Sequence, residues 1–351
     1  MFAWRRGVAG MLACLGVLLV VGCGGGGGQG EGPGKVALVI AQGGLGDESY
    51  NDLANKGFQR GLEENNLEGN TIESEDIVAQ GEQVLRRAGE GDFGLVIDLE
   101  FSHGEILGPI AEDSPDVNWA ILNTVVKGDN VASVLFQEQQ GSYLAGALAA
   151  MVTADPDIPG INPEKKIGVI GGTKSVGIDK FIVGFIQGAE DVDPETEVLV
   201  RYANTFGDPS KGKQLAQSMY EEGADIVYQV AGGTGTGVIE AAKEADRYAI
   251  GVDTNQDGLA KGNVLTSMVK RTDLAVERLM SDYAEGNYPG GETLNLGLEG
   301  NYVGLTDYPY TKDVIPAEYR ERVDELRQKI IDGEIKVWNV VEQGYPDFYS
   351  S

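Results

Sequence analysis

The chain has 351 residues, with 27 basic and 55 acidic side chains, a formal net charge of −28 and two cysteines. This length is sufficient for two compact lobes with separate hydrophobic cores. The acidic surface disfavours nucleic acid and strongly anionic ligands, because it repels phosphate groups, although a saline habitat or solubility alone would also account for the acidity. We therefore expect a neutral or cationic ligand.

The N-terminal residues are typical of a lipoprotein signal peptide. Arg5 and Arg6 precede an apolar run that is shorter and richer in glycine than a membrane-spanning helix. The run ends in VVGC, which resembles a lipobox, so we predict a signal peptide over residues 1–22 and lipidation of Cys23. An uncleaved N-terminal helix is the alternative, and the export route stays open because paired arginines also occur in twin-arginine signals.

A glycine-rich segment follows the predicted lipidation site. Residues 23–34 predict a flexible tether, because glycines have no side chains to bury. The other cysteine, Cys14, lies inside the predicted signal, so we expect no disulfide in the mature chain. The sequence predicts a protein held by lipid at the extracytoplasmic face of the cell membrane.

From residue 35 the chain alternates between apolar strands and helices, which predicts an α/β fold with parallel sheets. The predicted strands of the first half are 35–40, 95–97, 119–122 and 131–136, and its predicted helices are 49–63 and 141–151. The predicted strands of the second half are 166–172, 198–202, 226–228 and 248–252, and its predicted helices are 273–285 and one that begins at Pro316. Both halves open with a basic residue, an apolar strand, paired glycines and a helix, which indicates a duplication.

The sequence offers little to an enzymatic interpretation. Residues 232–237 read GGTGTG, but no Lys-Ser/Thr pair follows and the glycine spacing differs from a dinucleotide fingerprint. We interpret this segment as a tight strand-to-helix turn that brings backbone groups to a neutral ligand. The single histidine, His103, is expected to be structural or exposed, because a catalytic base needs a positioned partner. We expect no catalysis, no metal site and no cofactor.

Several motifs, taken in order, resemble the basic membrane lipoproteins, the nucleoside-binding receptors of ABC importers. The motifs are GLGDESYND at 44–52, EQQGSYLAG at 138–146, FGD at 206–208, GADIVY at 223–228, AGGTG at 231–235, IGVDTNQ at 250–256 and TSMVK at 266–270. The resemblance covers most of the chain after the tether. It implies a type I periplasmic-binding fold, in which two Rossmann-like lobes joined by three crossovers close on a ligand. It places 35–142 with 268–290 in the first lobe, and 143–267 with 291–351 in the second.

The resemblance also implies a ligand site. Tyr50 and Phe206 match the family's stacking aromatics, one from each lobe, and Asp253 and Lys270 match its sugar-binding pair. The remaining residues that the matching motifs place at the site are Asp47, Asn51, Asn123, Gly232 and Gly233.

Two positions depart from relatives that bind purine nucleosides. Ala41 and Asn123 stand where those relatives carry aspartates, and the Asn123 amide would suit an adenine edge. Purine nucleosides are the expected ligands, with riboflavin, which another branch of the family binds, or another planar or sugar ligand as alternatives.

The resemblance implies partners as well as a ligand. We expect a monomer that delivers its ligand to an ABC permease with its ATPase. The alternative is a sensor lipoprotein that presents the closed form to a signalling receptor.

Overall fold

The computed structural model describes residues 34–349, so Cys23, the predicted signal peptide and all but the last residue of the predicted tether lie outside the described residues. The described residues form two β-sheets flanked by helices. Their strands are β1 (Lys35–Val39), β2 (Gly69–Ile72), β3 (Phe93–Asp98), β4 (Asn118–Leu122), β5 (Val131–Phe136), β6 (Lys166–Gly171), β7 (Glu197–Tyr202), β8 (Ala224–Val230), β9 (Tyr248–Asp253), β10 (Val264–Lys270), β11 (Thr293–Leu296) and β12 (Val303–Leu305). Their helices are α1 (Tyr50–Glu64), α2 (Ile77–Gly89), α3 (Gly104–Asp113), α4 (Glu138–Thr153), α5 (Val176–Val192), α6 (Pro209–Glu221), α7 (Thr234–Ala245), α8 (Thr272–Ala284), α9 (Ala317–Ile331) and α10 (Val340–Gln343), with short 3₁₀ turns at Phe101–His103 and Glu299–Asn301.

The two sheets share one strand order. The first sheet runs β11-β5-β4-β3-β1-β2 and the second runs β12-β10-β9-β8-β6-β7. All neighbouring strands of the first sheet are parallel, whereas β12 pairs with β10 in the antiparallel direction. Strands β1 to β5 of the first sheet and β6 to β10 of the second are arranged in the same order. This confirms the duplication that the repeated sequence pattern predicted. Strands such as β8 are buried along their whole length, as expected for parallel strands with helices on both faces.

Three chain crossings connect the lobes, as the resemblance implies. The chain passes from the first sheet to the second between β5 and α4, returns between β10 and α8, and passes again between β11 and β12. Helix α8 packs on α1 of the first lobe, and α4 packs on α5 of the second. None of the helices between residues 34 and 349 is long and apolar enough to cross a membrane.

The lobe boundaries in the structure differ from those predicted at residues 142, 268 and 291. Helix α4 packs against the second lobe from its start, and β10 stays in the second sheet to its end, so the first two crossings lie at the ends of secondary-structure elements. The third prediction fails because β11 hydrogen-bonds to β5 and so belongs to the first sheet. A strand of four residues carries too little pattern for its partner to be predicted from sequence.

Glycines allow α4 and α5 to approach each other closely. A Cβ atom at Gly184 would overlap the backbone of Gln139, and one at Gly188 would overlap the backbone of Tyr143. This contact fixes the position of α5, whose first turns carry residues of the cleft between the lobes.

We predict that Gly188→Ala lowers the free energy of unfolding by about 1–3 kcal/mol or more, because the added methyl group has no space between the helices. Gly177→Ala, in the same helix, is the matched control. Its Cβ would meet no atom within 4 Å, so the better helix propensity of alanine should leave stability unchanged or raise it by about 0.5–1 kcal/mol. Urea unfolding of both variants measures the difference, and equal stabilities would contradict the close packing of α4 on α5.

Candidate functional site

A cleft lies between the lobes at the carboxyl ends of the parallel strands, where open α/β sheets bind ligands. It encloses a volume of about 740 Å³, including its mouth. The predicted residues that line it are Asp47, Tyr50, Asn51, Asn123, Phe206, Gly232, Asp253 and Lys270. Gly233 does not line this cleft, and instead lies in an adjoining depression beside Asp47.

The two predicted stacking aromatics come from opposite lobes. Tyr50 is the first residue of α1, and its hydroxyl donates to the carbonyl of Leu99 (3.0 Å). Phe206 lies in the loop after β7, where its ring packs directly on Gly172, because a Cβ there would overlap the ring. Both side chains are half-buried, so each keeps a surface to offer a ligand.

Asn123 and Asp253 occupy equivalent positions in the duplicated lobes. Asn123 follows β4 and Asp253 ends β9, and both adopt a left-handed backbone, with φ of 69° and 63°. This conformation is uncommon for residues with a side chain and is frequent at functional sites. The two positions thus present polar side chains from corresponding strand ends to the same cleft.

The amide of Asn123 forms a hydrogen bond at each end. Its Nδ2 donates to the Tyr50 hydroxyl (2.8 Å), and its Oδ1 accepts from the Lys270 ammonium (2.7 Å). Each end of the amide keeps one further hydrogen-bonding position, so the adenine-edge role that the sequence suggested for Asn123 stays a prediction. Asn123 joins Tyr50 of the first lobe to Lys270 of the second.

A buried carboxylate between two lysines forms the floor of the cleft. Glu138 contacts Lys180 at 2.6 Å and Lys270 at 2.8 Å, and all three side chains are almost fully buried. Burial alone would raise the pKa of Glu138, but the two ammonium groups hold it below its usual value. Lys180 also donates to the carbonyl of Phe136 (2.8 Å), at the first crossing between the lobes.

The Lys270 ammonium is surrounded by aromatic rings. It lies 5.1 Å from the centroid of Tyr50, 5.0 Å from that of Phe136 and 5.5 Å from that of Phe181. These distances permit cation–π attraction, which is strengthened where the cation is removed from water. Lys270 is thus held by Glu138, by Asn123 and by three ring faces.

Asp253 and Lys270 do not form an ion pair with each other, because Lys270 is directed to Glu138 and Asn123. Their role as a sugar-binding pair stays a prediction. The Asp253 Oδ2 atom accepts a hydrogen bond from the Ser49 hydroxyl (2.7 Å) across the mouth of the cleft. Burial raises the pKa of Asp253 to about 6, although the charge of Lys270 and the Ser49 hydrogen bond act in the opposite direction. A second contact, from the Gln256 amide to the carbonyl of Glu48 (3.0 Å), also bridges the mouth.

Asp47 and Asn51 hold the turn that leads into α1. Asp47 accepts from the backbone N–H groups of Ser49, Asn51 and Asp52 (2.9, 2.9 and 3.2 Å). The Asn51 side chain accepts from the N–H of Ala41 (3.0 Å) and donates to Asp47 (3.1 Å). These contacts assign both residues to the wall of the cleft, and they position Tyr50.

His103 lies outside the cleft lining and is buried beneath it. Its Nδ1 contacts Asp98 (2.7 Å) and its Nε2 contacts the carbonyl of Ile77 (3.0 Å), so both ring nitrogens face acceptors. Burial lowers the pKa of His103, but Asp98 outweighs this effect and the net shift is upward. Asp98 also accepts from the backbone N–H of Glu100 (3.1 Å), so the pair supports the segment that follows β3.

Sequence reasoning missed Glu100, Glu138 and Lys180 as cleft residues. A usable signal existed for two of them. Glu138 stands two residues after the apolar strand β5, and Lys180 with Asp179 interrupts the apolar stretch of α5, and buried charges require partners. The described residues contain no cluster of three or more His, Cys, Asp or Glu side chains that could hold a metal ion.

Comparisons with known proteins agree with this geometry. The family described as "ABC transporter substrate-binding protein PnrA-like" (Bmp) matches residues 35–339. The "ABC transporter nucleoside-binding protein BmpA" of Lactococcus lactis is 33% identical over 86% of this chain and 88% of that protein. The "CD4+ T-cell-stimulating antigen" of Listeria monocytogenes is 34% identical over 86% of this chain and 87% of that protein. A solved ABC transporter solute-binding protein from Aeropyrum pernix superposes with a TM-score of 0.79 at 28% identity, over 87% of this chain and 93% of that one.

The two-lobed fold, the interlobe cleft and these matches define an extracytoplasmic substrate-binding protein of an ABC transporter, whose partners are a small-molecule ligand and a permease. Within that class, the chain belongs to the basic membrane protein (Bmp) family.

The raised pKa of Asp253 predicts how stability depends on pH. The folded protein takes up the Asp253 proton at about pH 6, whereas an unfolded aspartate does so near pH 3.9, so lowering the pH between these values stabilises the folded state through this group. The quantity to compare is the difference between the unfolding free energies of the wild type and of Asp253→Asn. We predict that this difference, wild type minus variant, increases by on the order of 2–3 kcal/mol when the pH is lowered from about 7 to about 4. Urea unfolding of both ligand-free proteins across this range measures the difference. A flat or falling difference would show that the Asp253 carboxyl is not buried in the cleft.

Proposed function

We propose that this protein captures a nucleoside of the purine type in the interlobe cleft and delivers it unchanged to the permease of an ABC importer. The proposal rests on one arrangement: half-buried aromatic side chains from opposite lobes, Tyr50 and Phe206, line the same cleft as the buried carboxylate of Asp253. Two aromatic faces suit a planar base, and a carboxylate suits the paired hydroxyls of a ribose. The name of the Lactococcus lactis relative, a nucleoside-binding protein, supports this choice.

Hinge closure is part of the proposal. The mouth is bridged by the contacts of Ser49 with Asp253 and of Gln256 with Glu48, which join the two lobes. The Asp253 Oδ1 atom has no hydrogen-bond donor among residues 34–349, so it is available to a ligand hydroxyl. The lobes therefore close around a ligand that satisfies Asp253, and the closed lobes present one surface to the permease.

We also propose that the protein acts as a monomer anchored by a lipid on Cys23. The glycine-rich segment after Cys23 would allow the binding unit to reach the permease from the membrane.

The ligand assignment predicts a thermal shift. Nucleosides should raise the unfolding midpoint of the purified protein, because a ligand at about 100 times its Kd adds about 2.7 kcal/mol to the stability of the folded state. Riboflavin, free sugars and free bases should raise it less. Phe206→Ala should weaken binding by the equivalent of about 1–3 kcal/mol, the stacking contribution of one ring.

Asp253→Ala should abolish the shift, and Tyr310→Ala, which removes an exposed ring outside the cleft, should preserve it. If riboflavin or a sugar alone raises the midpoint, the nucleoside assignment is wrong and the binding role remains.

The anchor predicts a change in localisation. Cys23→Ser should move the protein from the membrane fraction to the soluble extracytoplasmic fraction, because the thiol that would receive the lipid is absent. Cys14→Ser changes the other cysteine and should leave the protein in the membrane fraction. Metabolic labelling with a fatty acid, followed by fractionation, tests both variants. Retention of label in Cys23→Ser would rule out this site.

A further inference from the structure

The wall of the cleft contains a carboxylate that the proposed function does not use. Glu100 follows β3, has no exposed surface and lines the cleft together with Gln42. A buried carboxylate must be compensated by donors, because its transfer from water is costly. The donors that surround Glu100 therefore show what the group can do.

Three strong donors fix the Glu100 carboxylate in place. Its Oε2 accepts from the backbone N–H of Gln42 (3.0 Å), and its Oε1 accepts from the backbone N–H (3.1 Å) and the hydroxyl (2.7 Å) of Ser102. The backbone N–H of Glu100 is itself held by Asp98, which contacts His103. The carboxylate thus belongs to a rigid segment at the edge of the cleft.

The Gln42 side chain makes the remaining contact with this carboxylate. Its Nε2 lies 3.3 Å from each Glu100 oxygen. A carboxylate without a proton can only accept hydrogen bonds, so it determines which end of the amide faces it. The amide carbonyl Oε1 is turned away from Glu100, and it has no donor among the described residues.

We propose that Gln42 contacts the edge of the bound base through its amide carbonyl, and that Glu100 is a positioning residue that fixes this orientation. The cleft then selects a base that carries an N–H donor at that edge. Guanosine and inosine have a donor at N1, whereas adenosine has an acceptor there, so in the same pose the Gln42 oxygen would face a second acceptor. The inference rests on the proposed nucleoside function. It specifies, among the purine nucleosides, those with an N–H donor at N1.

The neighbouring amides agree with this assignment. The carbonyl oxygen of Asn123 accepts from Lys270, and its Nδ2 donates one hydrogen bond to Tyr50. The Asn51 amide is also occupied at both ends. Of the three amide side chains that line the cleft, Gln42 is therefore the one whose carbonyl oxygen accepts no hydrogen bond within residues 34–349.

Calorimetric titration with guanosine, inosine and adenosine tests the proposal. The wild type should bind guanosine and inosine at least about tenfold more tightly than adenosine, as expected when the half-buried Gln42 oxygen would otherwise face another acceptor. In Glu100→Gln the Gln42 amide can turn over, so this preference should fall to within about threefold. Gln42→Met, which keeps the length of the side chain and removes the amide, should lose the preference as well.

Phe206→Leu is the control, because it removes stacking and leaves the base edge untouched. It should weaken binding of all three nucleosides by similar factors and keep their ratio. The proposal is overturned if the wild type prefers adenosine or if both Gln42→Met and Glu100→Gln keep the wild-type ratio. If no nucleoside binds the wild type, the proposed function fails with it, whereas nucleoside binding without this preference overturns only the edge assignment.

Discussion

The buried ion chain of Lys180, Glu138 and Lys270 is the constraint on which the cleft depends. Glu138 begins α4 just after the first crossing, and Lys270 ends β10 just before the second. The carboxylate therefore joins two of the three segments about which the lobes would turn. Removing one member of such a buried group leaves an unpaired charge, which typically costs about 3–5 kcal/mol. The same side chains line the cleft, so the stability of the hinge and the shape of the ligand site are not independent.

The ion chain also explains the electrostatics of the opposite wall. Because Lys270 is committed to Glu138 and to Asn123, it does not form an ion pair with Asp253, whose pKa rises to about 6 on burial. The carboxylate keeps one hydrogen bond, from Ser49 of the other lobe. A ligand that supplies hydroxyl donors to Asp253 would relieve this burial penalty only when the lobes are closed. Under the proposed function, ligand binding and closure would therefore be coupled through the Asp253 carboxylate.

The sequence predicted the order of strands and helices well, because buried parallel strands appear as short apolar runs that end at glycines. The resemblance of its motifs to the basic membrane lipoproteins also indicated eight of the twenty residues that line the cleft. The sequence did not predict the partners of these side chains: Lys270 contacts Glu138 at the start of α4 and Asn123 after β4, both far from it in the sequence. Pairing of charges depends on side-chain directions in three dimensions, which a single sequence does not contain. The pairing of β11 was missed for the related reason that short strands find their partners through tertiary contacts.

Nucleoside capture can be measured by native mass spectrometry of the protein mixed with equal concentrations of nucleosides, riboflavin and simple sugars. We expect one dominant complex whose added mass is that of a single purine nucleoside, bound to a protein monomer. A dominant complex with riboflavin or a sugar, or only unliganded protein at concentrations well above those expected for transport, would contradict nucleoside capture.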